Sequence, residues 1–170
     1  DDVRSNFVLG ERFEDLACGL IACHAIQDDD RIEFALGWRQ DELAVDIGPE
    51  VDPAVTSLLH PFAPVSIPVE ASVGIGGLVD RLTTAIAETR RRGPFLRDLL
   101  QRTGVGERSL LDPARLPIRV TEEERVAEDS PVAWSFHRSS EGTWSVSGPA
   151  WAMEAFEDLL DHRRRTLETT

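Results

Sequence analysis

Apolar residues recur at helical spacing from Glu11 to Gln27, where Phe13, Leu16, Ala17, Leu20, Ile21 and His24 form one stripe. The pattern predicts an amphipathic helix. Asp28-Asp29-Asp30 closes it as a solvated turn, since three acids sit badly at the negative pole of a helix dipole. Alternation of period two then takes over. Ile32, Phe34, Leu36 and Trp38 mark a strand over Arg31 to Gly37, and Leu43, Val45 and Ile47 mark a second over Glu42 to Ile47. The short turn between them, Arg39-Gln40-Asp41, predicts a hairpin. Beyond it, Pro49, Pro53, Pro61, Pro64 and Pro68 punctuate a stretch that reads as long and irregular.

Gly74-Ile75-Gly76-Gly77 opens the next helix, with Leu78, Val79, Leu82 and Ile86 on its buried face. Arg90-Arg91-Arg92 complements its C-terminal dipole, and Gly93-Pro94 stops it. The Arg triplet also suits an anion, although helix-end charge complementarity accounts for it. Phe95 to Thr103 reads as a short amphipathic helix, Gly104 to Ala114 as a connection and Leu116 to Val120 as a strand. The acidic run Thr121 to Asp129 reads as a loop or short helix. In the last forty or so residues, Val132 to Arg138 and Thr143 to Ser147 predict two strands joined by a turn at Ser139 to Gly142. A helix follows from Pro149 to about Leu167, with Trp151, Ala155, Phe156, Leu159 and Leu160 as its buried stripe.

The expected fold class is therefore α+β, with helices on a mostly antiparallel sheet and a C-terminal ββα unit. The chain divides into a core over 1–93, a helical and acidic connection over 94–130, and the ββα unit over 131–170, packed on the same core.

Composition narrows the function classes. The chain has 170 residues, 41% apolar, which is enough for a packed core. Its formal charge of −13 disfavours nucleic acid and anionic membrane as partners, and favours a protein with a basic surface. Arginine fills all 18 of the lysine-or-arginine positions. No apolar run is long enough to span a bilayer, and the opening residues do not resemble a signal peptide, so a cytoplasmic protein is expected. A homo-oligomer remains open.

The two cysteines, Cys18 and Cys23, stand five residues apart, turned roughly 140° from one another on a helix. Reduced core thiols are expected. Neither a Cys-x-x-Cys nor a His-x-x-x-His pair occurs, so no metal is expected. No Gly-x-Ser-x-Gly elbow occurs either. His24, His60 and His137 could serve with nearby carboxylates in a pocket formed by the Pro-rich stretch. Trp134, Trp144 and Trp151 are candidate contact anchors or core residues.

One constellation has order. A helix ends in Cys23-His24-Ala25, strands lead into Asp46-Ile47-Gly48-Pro49, and Gly74-Ile75-Gly76-Gly77 opens a helix. This order resembles the GHKL (Bergerat-fold) ATPase domain, in particular the serine-kinase-like anti-sigma regulators, over about residues 11–87. The resemblance implies ATP or ADP as ligand. Asp46 would take the adenine amino group, Gly48 would allow approach beneath the base, and Gly74 and Gly76 would line the phosphates. Where that family carries its magnesium Asn and its acidic catalytic residue, this chain has Leu20 and Leu16. The implied protein is thus a non-catalytic regulatory or interaction protein, with nucleotide binding as the alternative and no well-formed magnesium site. In the plainer reading, Asp46 to Pro49 is a strand-ending turn and Gly74 to Gly77 a helix entry.

Overall fold

The computed structural model describes residues 3–28, 30–39, 57–96, 113, 116–122 and 132–169. Their elements are β1 (Arg4–Gly10), α1 (Phe13–Gln27), β2 (Arg31–Gly37), β3 (Phe62–Pro68), α2 (Ile75–Arg92), β4 (Ile118–Thr121), β5 (Trp134–Arg138), β6 (Trp144–Pro149) and α3 (Ala150–Glu168). The six strands form one sheet in the order β1-β6-β5-β4-β2-β3. The pairs β1–β6, β5–β6 and β2–β3 are antiparallel, whereas β2–β4 and β4–β5 are parallel. The fold is α+β, three helices on a mixed sheet.

Alternation decides which side chains meet the helices. Ile32, Phe34, Leu36, Val65, Ile67, Ile118, Val120, Trp134, Phe136, Trp144 and Val146 share one core with apolar side chains of α1, α2 and α3. Helix α1 is the centre of that core. Every residue from Asp15 to His24 is buried, so the expected single stripe is instead a helix covered all round. The sequence conceals this because Asp15 and His24 interrupt an otherwise small and apolar run. Helix α3 buries Ala152, Met153, Phe156 and Leu160. Phe156 packs against Trp134 with ring centroids 5.2 Å apart and the ring planes tilted by 31°. Gly148 on β6 lies directly under that indole, where a Cβ would overlap its ring atoms.

Three expectations change. First, Phe62–Pro68 is a strand inside the stretch read as irregular. Its prolines fit because β3 is the sheet edge. The bonds Trp38 N–H to Pro61 O (3.0 Å) and Val69 N–H to Asp30 O (2.9 Å) set the ladder's parity. Pro64 and Pro68, opposite Ala35 and Arg31, then turn their nitrogens away from β2, where no donor is required. Second, β2 has β3 on one side and β4 on the other, so the hairpin with Glu42 to Ile47 is not what β2 forms. Residues 42–47 themselves lie outside the described residues, as does most of the helix expected over 95–103 and most of the acidic run 121–129. Third, Trp151 is not in the buried stripe of α3 but 80% exposed, and Ala155 is exposed with it.

Strand β1, absent from the sequence reading, is the other edge. Only Phe7 and Leu9 of its apolar residues turn towards the core, and Val8 is 67% exposed, so its alternation is weak. Among the described residues no helix is long and apolar enough to cross a membrane.

Candidate functional site

A cleft of about 380 Å³ opens where α1, α2 and α3 converge, lined by Arg12, Asp15, Cys18, Gly76, Val79 and Arg164, with Glu14, Asp80, Leu167 and Glu168 completing its wall. The sequence builds it from the start of α1. Asp15 is the third residue of the helix, and its Oδ2 accepts the Arg12 backbone N–H at 3.2 Å, satisfying one of the donors a helix start leaves open. Its Oδ1 lies 3.3 Å from an Arg164 guanidinium nitrogen, and Arg12 Nε is 3.6 Å from Oδ2. The same Arg164 nitrogen donates to the Leu9 carbonyl. One guanidinium thereby ties the end of α3 to the end of β1 and the beginning of α1. Gly10 makes room for this. Its φ is +139°, and a Cβ there would run into the Asp15 carboxylate.

Cys18 sits one turn beyond Asp15 at the cleft wall and is buried. Burial pushes its thiol pKa up, and Asp15 adds to that, while Arg164 pulls the other way. Cys23, deeper in the core, is pushed up further by burial alone. Both are neutral thiols at pH 7, so neither is an activated nucleophile. The cleft therefore pairs a closed carboxylate–guanidinium clamp with an inert thiol.

The expected site residues do not converge on it. Asp46 and Gly48 lie outside the described residues. Gly74 is the N-cap of α2 and Gly76 lies in its first turn, and a Cβ at either position would meet nothing within 4 Å. No close approach of a neighbour explains either glycine, although Gly76 does line the cleft. Of the Arg triplet, Arg90 pairs with Glu122 at 2.7 Å and Arg92 lies 3.5 Å from Glu88, so both guanidiniums meet carboxylates of this chain. Leu16 and Leu20 are 1% and 0% exposed, packed in the core.

The histidines occupy three separate settings. His24 Nδ1 lies 3.1 Å from the Arg31 carbonyl. His60 stacks on Phe95 and contacts the Phe62 carbonyl at 2.7 Å. His137 Nδ1 is 2.9 Å from Ser145 Oγ, and these two residues are register partners across β5 and β6. Among the described residues no carboxylate hydrogen-bonds the His137 ring to make the third member of a catalytic triad. None of the three lines the cleft. No group of three or more His, Cys, Asp or Glu among the described residues could hold a metal.

The sequence reading missed Asp15 and Arg164. Asp15 carried a signal, being an acid flanked by Phe13, Leu16 and Ala17 at a position the helix buries. Arg164 carried none, because it stands inside Arg163-Arg164-Arg165, which suits a helix end.

No protein-family model matches the chain, and no curated protein matches it. Solved structures do. The starter condensation domain of the rhizomide synthetase RzmA aligns over 99% of this chain with a TM-score of 0.54 at 9% identity. The PapA2 acyl transferase aligns over 96% with a TM-score of 0.52 at 10% identity. The fold is similar to that of condensation and acyl-transferase domains. This corrects the GHKL resemblance and, with it, the anti-sigma and regulatory reading: its few matched positions were spacing without the fold. The chain spans less than half of these neighbours, 46% of the first and 44% of the second.

Proposed function

We propose that this chain is one lobe of a larger acyl-transfer protein of the condensation-domain kind, and that it supplies framework rather than a self-sufficient active site. The observation that carries this reading is the coverage: 96–99% of this chain matches within 44–46% of proteins whose names specify condensation or acyl transfer. A second point supports it. The cleft's Asp15 is spent on Arg164 and its thiol is neutral, so the cleft brings together no nucleophile with a free base. A transferase assembled from two lobes requires no complete set on one of them. In the reaction, the acyl carbon would leave a thiol or alcohol and bond to an acceptor nitrogen or oxygen, whose proton passes to the departing group.

The test compares this chain with the longer polypeptide that this reading requires. Each is given an acyl thioester and a panel of amine and alcohol acceptors, and free thiol is followed with a chromogenic disulfide. Acceptor-dependent thiol release is expected from the longer polypeptide only. Release by the 170-residue chain alone would overturn the framework role, and its absence from both would overturn acyl transfer.

A further inference from the structure

The structure assigns a docking surface for a basic, arginine-bearing segment of a partner protein to the outer face of α3, and this assignment does not depend on the acyl-transfer reading. Trp151 opens that face at 80% exposure, the most exposed large apolar side chain among those described. It stands beside Val3, itself 66% exposed, because the Ala150 N–H is bonded to the Val3 carbonyl at 2.9 Å. The other three tryptophans, Trp38, Trp134 and Trp144, are all buried, so leaving this one in water runs against the rest of the chain.

Glu154, Glu157, Asp158 and Asp161 follow Trp151 on exposed positions of the same helix. At about 100° per residue, Trp151, Glu154, Asp158 and Asp161 fall within one stripe, about 15 Å long from the rise of 1.5 Å per residue. None of the four carboxylates has an ion-pair partner among the described residues, unlike Asp15, Glu33, Glu70, Glu88 and Glu122. An aromatic plate followed by unneutralised carboxylates fits one chemistry. A guanidinium stacks on the indole face while further cations meet the acids, and arginine does this better than lysine. A second copy of this chain, at −13, would bring like charge to the same stripe. The chain's acidity, which pointed only generally to a basic partner, thus acquires a location.

The probe is a synthetic twelve-residue peptide alternating Arg and Ser, titrated against the full chain at about 0.05 M salt, where screening is weak. Binding is expected to shield Trp151 from acrylamide quenching, the three buried tryptophans giving a constant background. The triple variant Glu154→Gln, Asp158→Asn, Asp161→Asn should bind about five- to thirtyfold more weakly, and Trp151→Ala should weaken binding about threefold or more. A control variant, Glu70→Gln, Glu88→Gln, Glu141→Gln, loses the same charge away from α3 and should weaken binding less than about twofold. Equal weakening in the two triple variants would show general charge attraction and overturn the assignment, as would unaltered quenching of Trp151. Self-association of the chain through this face, seen by sedimentation and abolished by Trp151→Ala, would overturn it in favour of a second copy. All four α3 residues are exposed, so the variants keep the fold, and circular dichroism melting checks this.

Discussion

Replacing Asp15 by Asn removes one charge from the clamp while keeping the side chain's shape. The Asp15 side chain is 9% exposed and that of Arg164 26%. Breaking a fully buried pair costs about 3–5 kcal/mol, chiefly because the surviving charge is left without compensation. Arg164 can recover some hydration through its exposed quarter and keeps its bond to the Leu9 carbonyl. The expected loss is therefore about 2–3 kcal/mol, or roughly 5–10 °C in Tm for a domain of this size. Urea unfolding followed by circular dichroism reads it as a lowered midpoint with unchanged slope. The double-mutant cycle with Arg164→Met isolates the pair. Arg164→Met leaves the carboxylate only its Arg12 contacts, so the double variant should be less damaged than the two singles summed, by at least about 1 kcal/mol. A loss under about 0.5 kcal/mol for Asp15→Asn, or simple additivity in the cycle, would show that the contact is incidental and that α3 is held by apolar packing alone.

Leu20→Asn introduces the residue type that the overturned GHKL resemblance would place there. Leu20 is fully buried, so the amide would enter the core without partners. A loss of about 3 kcal/mol or more is expected in urea unfolding, with no magnesium-dependent nucleotide binding by calorimetry. The thiols predict an alkaline limit. Cys18 and Cys23 have pKa values raised above the ordinary 9.0 by burial. Well below pH 9 both states keep their protons and the thiols do not affect stability. Above it the unfolded chain releases protons that the folded chain retains, so stability falls as pH rises. The fall, measured by urea midpoints between pH 8 and 10.5, should flatten in the Cys18→Ala, Cys23→Ala variant.

What the sequence made legible was what depends on local periodicity. Strand β2, helix α2, the β5–β6 pair and helix α3 stand within a few residues of their expected bounds, because each carries a clear period and a stop signal. Strand β3 was hidden by Pro64 and Pro68, whose meaning depends on which edge of the sheet they face. Strand β1 was hidden because an edge exposes half its alternation. The exposure of Trp151 was illegible for another reason: a large aromatic at the edge of an apolar stripe is ordinarily buried, and only the direction of α3 over β1 and β6 decides otherwise. Of the candidate site, Asp46 and Gly48 lie outside the described residues, and Gly74 and Gly76 form a helix entry as read. The Asp15–Arg164 clamp joins residues 149 positions apart, beyond any local signal. The family resemblance failed because short motifs at plausible spacings carry no information on strand order.

Helix α1, covered on all sides in the finished fold, has a history during synthesis. Its last residue is 27, yet β6, which holds β1 beside it, ends at 149 and α3 at 168. At roughly 5–20 residues per second, a ribosome takes about 7–30 s to make the chain that shields it. Strands β2 and β3 and helix α2 are made by residue 92, but the sides of this fifteen-residue helix that meet β6 and α3 stay uncovered until those elements emerge. An element made before most of this sequence is thus among the last to be enclosed, and a chaperone that holds apolar helices has a fitting substrate in residues 13–27.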